Sequence, residues 1–177
     1  MLALTLGSAP ASAQRPWPDA ELGHGTLSFD GKSTLGDFTG TTTTVRGQMR
    51  GGASLAEVRG WVEAPVTTLK TGNDRRDRDL VKTMEAAIFP TIRFQLEGVK
   101  VESEQGDSAR VILEGDFFIH GVQRRERLPA VVTRTAGGIR VTASLPMNLH
   151  DYKVDKLTRF LVFKMNPNIV MHVDVTF

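Results

Sequence analysis

The stretch Ile139–Leu149, IRVTASLPMNL, alternates apolar and polar residues almost without a break. Ile139, Val141, Ala143, Leu145, Met147 and Leu149 share one parity, and Arg140, Thr142, Ser144 and Asn148 the other. A period of two puts successive side chains on opposite faces of a sheet, so this is a strand with one oily face and one wet face. Residues 169–177, IVMHVDVTF, repeat the pattern: Ile169, Met171, Val173, Val175 and Phe177 oppose His172, Asp174 and Thr176. Long one-sided strands need an apolar cover. Whether another part of the chain or a ligand supplies it is the functional question.

Working outward, the same alternation recurs. Leu27 and Phe29 open a strand, a turn is predicted at Gly31-Lys32, and Thr41 to Met49 is β-prone and Thr-rich. Gly51-Gly52 breaks the chain, and Val58, Gly60 and Val62 alternate up to Pro65. One region departs from this. Asn73-Asp74 predicts a helix cap, Asp77 and Asp79 suit the positive end of a helix dipole, and Leu80, Met84 and Ile88 form a stripe that Phe89-Pro90 ends. Strands resume at Ile92, Phe94 and Leu96, and polar Glu102 to Asp107 is expected to be a loop. Val111 to Ile119, Arg127 to Thr133 and the two alternating stretches follow, punctuated by Gly121 and Gly137-Gly138.

Many strands at hairpin spacing, one short amphipathic helix and no βαβ rhythm predict a mainly β, antiparallel, single-domain fold. A sheet of about eight long strands tends to close into a barrel, which removes its edges. At that size the interior is filled by side chains or holds one small ligand. Gly47, Gly60, Gly115, Ala130 and Ala143 fall on the inward parity. They fit a hollow, and they fit equally well bends and bulges in a filled barrel.

Composition narrows the classes. The chain has 177 residues, ordinary hydrophobic content and a net charge of only +2. Its arginines are scattered and not interleaved with an aromatic platform, so nucleic-acid binding has no support. With no cysteine there is no disulfide, thiolate nucleophile or Cys-based zinc site. No run approaches the roughly 18 apolar residues of a membrane-spanning helix. Residues 1–13, apolar and then Ala11-Ser12-Ala13, are expected to be the tail of a signal peptide. Residues 14–23 form a lead, residues 24–177 the barrel domain, and the protein is expected to be periplasmic or secreted.

The chemically suggestive residues are few. His24, His120, His150 and His172 are widely spaced, without metal-ligand spacing, so no metal or cofactor is expected. No nucleophile elbow or phosphate loop is present, and catalysis is not expected. Arg75, Arg76 and Arg78 lie beside Asp74, Asp77 and Asp79, which reads first as a solvated, self-neutralising helix face; the alternatives are a bidentate Arg76–Asp77 pair that pins the helix start to the barrel, and head-group anchoring by one of the arginines. His120 reads as a turn histidine or a head-group contact, and Asp151-Tyr152 as strand closure or a hydroxyl offered to a ligand. Parity and bulk select Phe29, Phe94, Leu96, Leu113, Phe117, Val141, Leu145 and Val173 as interior-lining candidates.

Several segments in order resemble one family. They are FDGKSTLGDFTG at 29–40, Thr71-Gly72-Asn73 with Arg76-Asp77 and Leu80, FPTIRF at 89–94, GDFFIHGV at 115–122, and Asp151-Tyr152. Together they resemble the YceI-like family of lipocalin-like, polyisoprenoid-binding proteins. The resemblance implies an extended eight-stranded antiparallel β-barrel with a helix beside it, exported and often a homodimer. Its pore would hold an isoprenoid lipid such as a polyprenyl phosphate or a quinone tail, with Arg76, His120 and Tyr152 as head-group candidates. Burying one CH₂ contributes about 0.8 kcal/mol, so three or four five-carbon units suffice for roughly micromolar binding. The alternative is a non-catalytic envelope or stress interaction module with a filled barrel.

Overall fold

Period-two alternation along most of the chain produces a single antiparallel sheet of ten strands. The structure, a computed structural model, describes residues 15–34, 36–154 and 165–177. The strands are β1 (Ala20–Glu21), β2 (His24–Ser33), β3 (Gly36–Thr42), β4 (Arg46–Arg50), β5 (Arg59–Pro65), β6 (Thr91–Gln105), β7 (Ser108–Ile119), β8 (Val122–Thr135), β9 (Gly138–Asn148) and β10 (Asn168–Thr176). One α-helix, α1 (Asp74–Thr83), lies between β5 and β6. The spatial order is β1-β4-β5-β6-β7-β8-β9-β10-β2-β3.

The pattern predicts eight long strands and ten are found; two interruptions account for the difference. Only Leu22 and Gly23 separate β1 from β2, and only residues 43–45 separate β3 from β4. Ala20 pairs with Met49 and Leu27 with Thr42 in one unbroken register, so the four pieces form one long interrupted hairpin. At the interruption the Leu22 N–H donates to the Gly47 carbonyl and the Gly23 N–H to the Thr176 carbonyl, both at 2.9 Å. Adjacent residues thus hold β4 on one side and the end of β10 on the other, which curls the sheet.

The ladder between β8 and β9 runs only from Ala130–Ala143 to Thr135–Gly138. The next residue of β8 is Pro129, which has no N–H to give a partner. In the gap sits a 3-10 turn, Leu149–Tyr152, whose Tyr152 is 1% exposed. The Tyr152 hydroxyl donates to Glu126 Oε1 at 3.3 Å; burial first, then the Glu126 carboxylate, pushes the phenol well above its ordinary range.

Several boundaries differ from expectation. The predicted stripe Leu80–Met84–Ile88 breaks after Met84: α1 ends at Thr83, Glu85 takes a left-handed backbone (φ 46°), and Ile88 is 68% exposed. Of the polar segment Glu102 to Asp107 only Gly106-Asp107 is the hairpin turn; residues 102–105 are strand, because β6 pairs with β7 out to Gln105–Ser108. Gly31-Lys32 lies inside β2, with the turn after Ser33. The lead is part of the fold: β1 pairs with β4, Trp17 bridges Gly52, and the Arg134 guanidinium stacks 3.8 Å from the Trp17 ring centre. The signal-peptide segment lies outside the described residues. Among the described residues no helix is long and apolar enough to cross a membrane, and no cluster of three or more His, Asp or Glu side chains could hold a metal ion.

Candidate functional site

The inner side chains do not fill the curled sheet. A cavity of about 370 Å³ lies beneath α1, and a second of about 100 Å³ lies deeper. The helix contributes Leu80 and Met84 to the upper cavity, and the sheet contributes Phe29, Ile92 and Ile119. Met147, Met165 and Met171 complete the wall with Met84, so four of the chain's six methionines face this space. Thioethers on unbranched, rotatable chains make an adaptable apolar surface. The charged groups Arg75, Arg76 and Asp79 gather on α1, beside the neutral cap Asn73. The result is an oily chamber with a polar mouth.

Of the eight lining candidates, Phe29 lies in the upper cavity, and Phe94, Leu96, Leu113, Phe117, Val141 and Val173 lie in the lower one. Leu145 lines neither; it is buried in the core between Ala143, which faces the lower cavity, and Met147, which faces the upper. The eight candidates omit most of the upper wall, including Leu69, Leu80 and the methionines, although Met147 and Met171 share the apolar parity of their strands. The fourfold spacing of Leu80 and Met84 was the available signal for the helical part.

None of the small inward residues lines the upper cavity, though Gly60 and Ala143 line the lower one. A Cβ on Gly115 would run into the Phe94 ring and the Gln95 carbonyl, and one on Gly60 would meet the Gln48 carbonyl. One on Gly47 would collide with the Trp61 carbonyl. These glycines permit close approach of backbone and ring. Gly47 and Gly60 lie in unbroken register, not at bulges, and Gly115 borders the irregularity of the β6–β7 ladder at Leu96–Gly98. The upper space comes from the gap between α1 and the sheet.

The mouth is built by Thr71-Gly72-Asn73. Gly72 has φ 74°, which a residue without a side chain adopts freely. Asn73 caps α1, its Oδ1 accepting the Arg76 N–H at 3.0 Å. Asp77 Oδ1 accepts from the Thr71 N–H at 2.8 Å and the Thr71 hydroxyl at 2.6 Å. Burial alone would raise that carboxyl; the two Thr71 hydrogen bonds, with Lys70 and Arg76 nearby, bring it below its ordinary value. Arg76 Nη2 donates to the Thr71 carbonyl at 2.9 Å, and its guanidinium lies 4.2 Å over the Phe38 ring centre. The alternative of a bidentate Arg76–Asp77 pair gives way to separate bonds from each side chain to Thr71. Arg76 Nε is buried without a partner beside the cavity.

His120 and Tyr152 are not among the residues lining either cavity. His120, at φ 51°, has Nε2 2.8 Å from Glu85 Oε2 and Nδ1 3.2 Å from the Tyr152 carbonyl, with the Phe89 ring against its edge. Its side chain is 8% exposed. Both ring nitrogens are committed to a joint that ties the end of the helical segment to the β7–β8 turn and to the 3-10 turn. The structure thus places His120 and Tyr152 at this joint and away from both cavities.

On the outer face, Ser144 Oγ lies 2.8 Å from His172 Nδ1, and His172 Nε2 lies 3.0 Å from Asp30 Oδ2. Thr39 donates to Asp30 Oδ1 at 2.7 Å, extending the chain across β9, β10, β2 and β3. Ser144 and His172 are direct cross-strand partners of opposite parity to the cavity-facing Ala143 and Val173. The group is a cross-strand hydrogen-bond chain on an exposed face, outside both cavities.

Comparison with known proteins follows the same lines. No curated protein matches the sequence. A polyisoprenoid-binding domain from Saccharophagus degradans, implicated in plant cell wall breakdown, superposes with a TM-score of 0.73 at 15% identity, over 88% of this chain and 95% of that one. Burkholderia cenocepacia BcnA gives 0.72 at 14% identity, over 86% and 96%. The Campylobacter jejuni YceI protein gives 0.52 at 19% identity, over 67% and 72%. At such identities these likenesses establish a shared fold. A profile of the YceI-like domain matches residues 19–177, nearly the whole described chain, and the chain therefore belongs to the YceI-like family.

Proposed function

We propose that this chain is an exported, non-catalytic carrier. It holds the tail of an isoprenoid lipid, a polyprenyl phosphate or quinone, in the helix-covered cavity, with the head at the Arg75–Arg76 end. The observation that carries the proposal is the cavity of about 370 Å³, walled mainly by Leu, Ile, Met and Phe, with its charged side chains, Arg75, Arg76 and Asp79, all on α1. The polyisoprenoid-binding domain from Saccharophagus degradans shares the fold and supports the ligand class. In this reading the interrupted hairpin acts as two strands, and the sheet as a closed eight-stranded barrel.

The energetics are consistent. At ~30 Å³ per water-sized group, the upper cavity admits on the order of a dozen carbons, about two isoprene units. Their burial contributes roughly 6–8 kcal/mol before association costs of several kcal/mol. A head group held at the mouth, or deeper penetration of the tail, is then needed for micromolar affinity. Arg75 is exposed at the mouth, and the buried Arg76 Nε has a donor to spare.

Native mass spectrometry of the full chain, purified without detergent, is expected to show a bound lipid of several hundred daltons. Arg75→Gln is expected to weaken a phosphate-headed prenyl probe severalfold while leaving the matching prenyl alcohol unchanged. Apo protein that also takes up no added prenyl alcohol or prenyl phosphate would overturn the proposal. Fractionation of cells expressing the chain tests export, with recovery in the periplasm or medium expected and recovery in the cytoplasm counting against it.

A further inference from the structure

The two cavities meet at a defined height. Along β10 the inward residues divide between Met171, in the upper cavity, and Val173, in the lower; along β7 they divide between Ile119 and Phe117. Along β9 the divide falls between Met147 and Ala143, at the level of buried Leu145. Among the described residues only Leu27 on β2 and Ile92 on β6 face both spaces. Leu27 pairs in register with Val173, and the next inward residue, Phe29, pairs with Met171, so the boundary crosses neighbouring strands at one level.

We infer that Leu27 and Ile92 form a stop that sets how far an isoprenoid tail enters, and so make tail length the property the site selects. The inference rests on the isoprenoid reading of the cavity. A tail entering from the polar mouth fills the upper space of about 370 Å³ and meets these two side chains before the lower space of about 100 Å³. The apolar wall continues beyond them, with Phe94, Phe117 and Val141, so what limits the tail is the constriction and not a change of chemistry. With the constriction in place, each five-carbon unit beyond about the second stays outside and adds little affinity. With it removed, the two spaces merge and further units are buried. Both side chains are shape-defining aliphatics only partly buried in this interior, so replacing them leaves the strand ladder as it is.

The test uses the full chain and three alcohols that differ only in length: geraniol (C10), farnesol (C15) and geranylgeraniol (C20). Affinities are read by displacement of N-phenyl-1-naphthylamine. For the native chain the affinity is expected to rise by less than about threefold per unit beyond C10. For Leu27→Ala/Ile92→Ala it is expected to rise by about tenfold or more per unit. Leu27→Val trims the barrier more gently and is expected to raise C15 relative to C10 by about tenfold over the native ratio. The Val variant keeps the stop testable should the double variant fail to fold, which thermal melts report. Equal length profiles in all folded variants overturn the stop while leaving the isoprenoid reading intact. Failure of every variant and of the native chain to bind any of the three alcohols overturns both.

Discussion

Thr71 holds both signs of charge at the cavity mouth. Its N–H and hydroxyl go to Asp77, and its carbonyl takes Arg76. Removing the hydroxyl leaves a buried carboxylate short of one strong donor, a change worth about 1–3 kcal/mol. At about 2–4 °C per kcal/mol for a chain of this size, Thr71→Val is expected to lower Tm by several degrees, while Thr71→Ser recovers most of it, as a thermal melt reads. The sequence announced a cap at Asn73 but not this arrangement. Spacing shows which residues are near along the chain, whereas the Thr71–Asp77 bond exists because Gly72 turns the backbone left-handed before the helix begins. His120 was equally illegible: its two partners, Glu85 and the Tyr152 carbonyl, come from elements over thirty residues away on either side.

The strands were the most legible elements, because alternation is a local property that survives any tertiary arrangement. What the curling of the sheet imposes was not legible. The interruption at Leu22–Gly23, where one segment must face both β4 and β10, and the end of the β8–β9 ladder at Ala130–Ala143 depend on partners no local window contains. The glycines show the same limit. Gly115, set against the Phe94 ring and the Gln95 carbonyl, is a packing position, while Gly98, at an irregularity of the β6–β7 register, has open space around its Cα. Gly115→Ala is therefore expected to cost about 1–3 kcal/mol through overpacking. Gly98→Ala is expected to be neutral or stabilising by roughly 0.5 kcal/mol through loss of unfolded-state freedom. Denaturant melts of the two variants distinguish them; equal losses would mean that the ring and carbonyl move aside without strain.

Across the molecule two properties emerge that no single strand carries. The first is acid lability. Asp30, held by the Thr39 hydroxyl and His172, and Asp174, held by Arg140, sit below their ordinary value, as Asp77 does against the opposing effect of burial. A carboxyl depressed in the folded state contributes stability that is fully present above its unfolded value, 3.8, and is lost as pH falls through the folded one. Tm is accordingly expected to be insensitive to these groups above about pH 5 and to drop below about pH 4, with Asp→Asn at all three sites flattening the acid limb. The second property is the placement of methionine. Upper-wall positions were legible only in part from sequence, since parity gives a face of a strand but not the end of the barrel it serves, and bulk favoured Phe over Met. All five methionines of the described residues face one cavity or the other: Met49 the lower, and Met84, Met147, Met165 and Met171 the upper. Oxidation turns a flexible apolar side chain into a polar sulfoxide, which would place several dipoles in the wall meant for a hydrocarbon. Peroxide treatment of ligand-free protein is therefore expected to weaken farnesol binding by about tenfold or more, each sulfoxide offsetting a kilocalorie or so of apolar contact. Pre-bound farnesol should slow the reaction, because it occupies the space through which the oxidant reaches the sulfurs. A variant with Leu at all four upper positions should bind comparably before treatment and be unaffected after it. Peptide mass mapping of the sulfoxides, set beside the binding loss, decides the matter: oxidation of those four residues with affinity unchanged would mean that the tail does not touch the methionine wall.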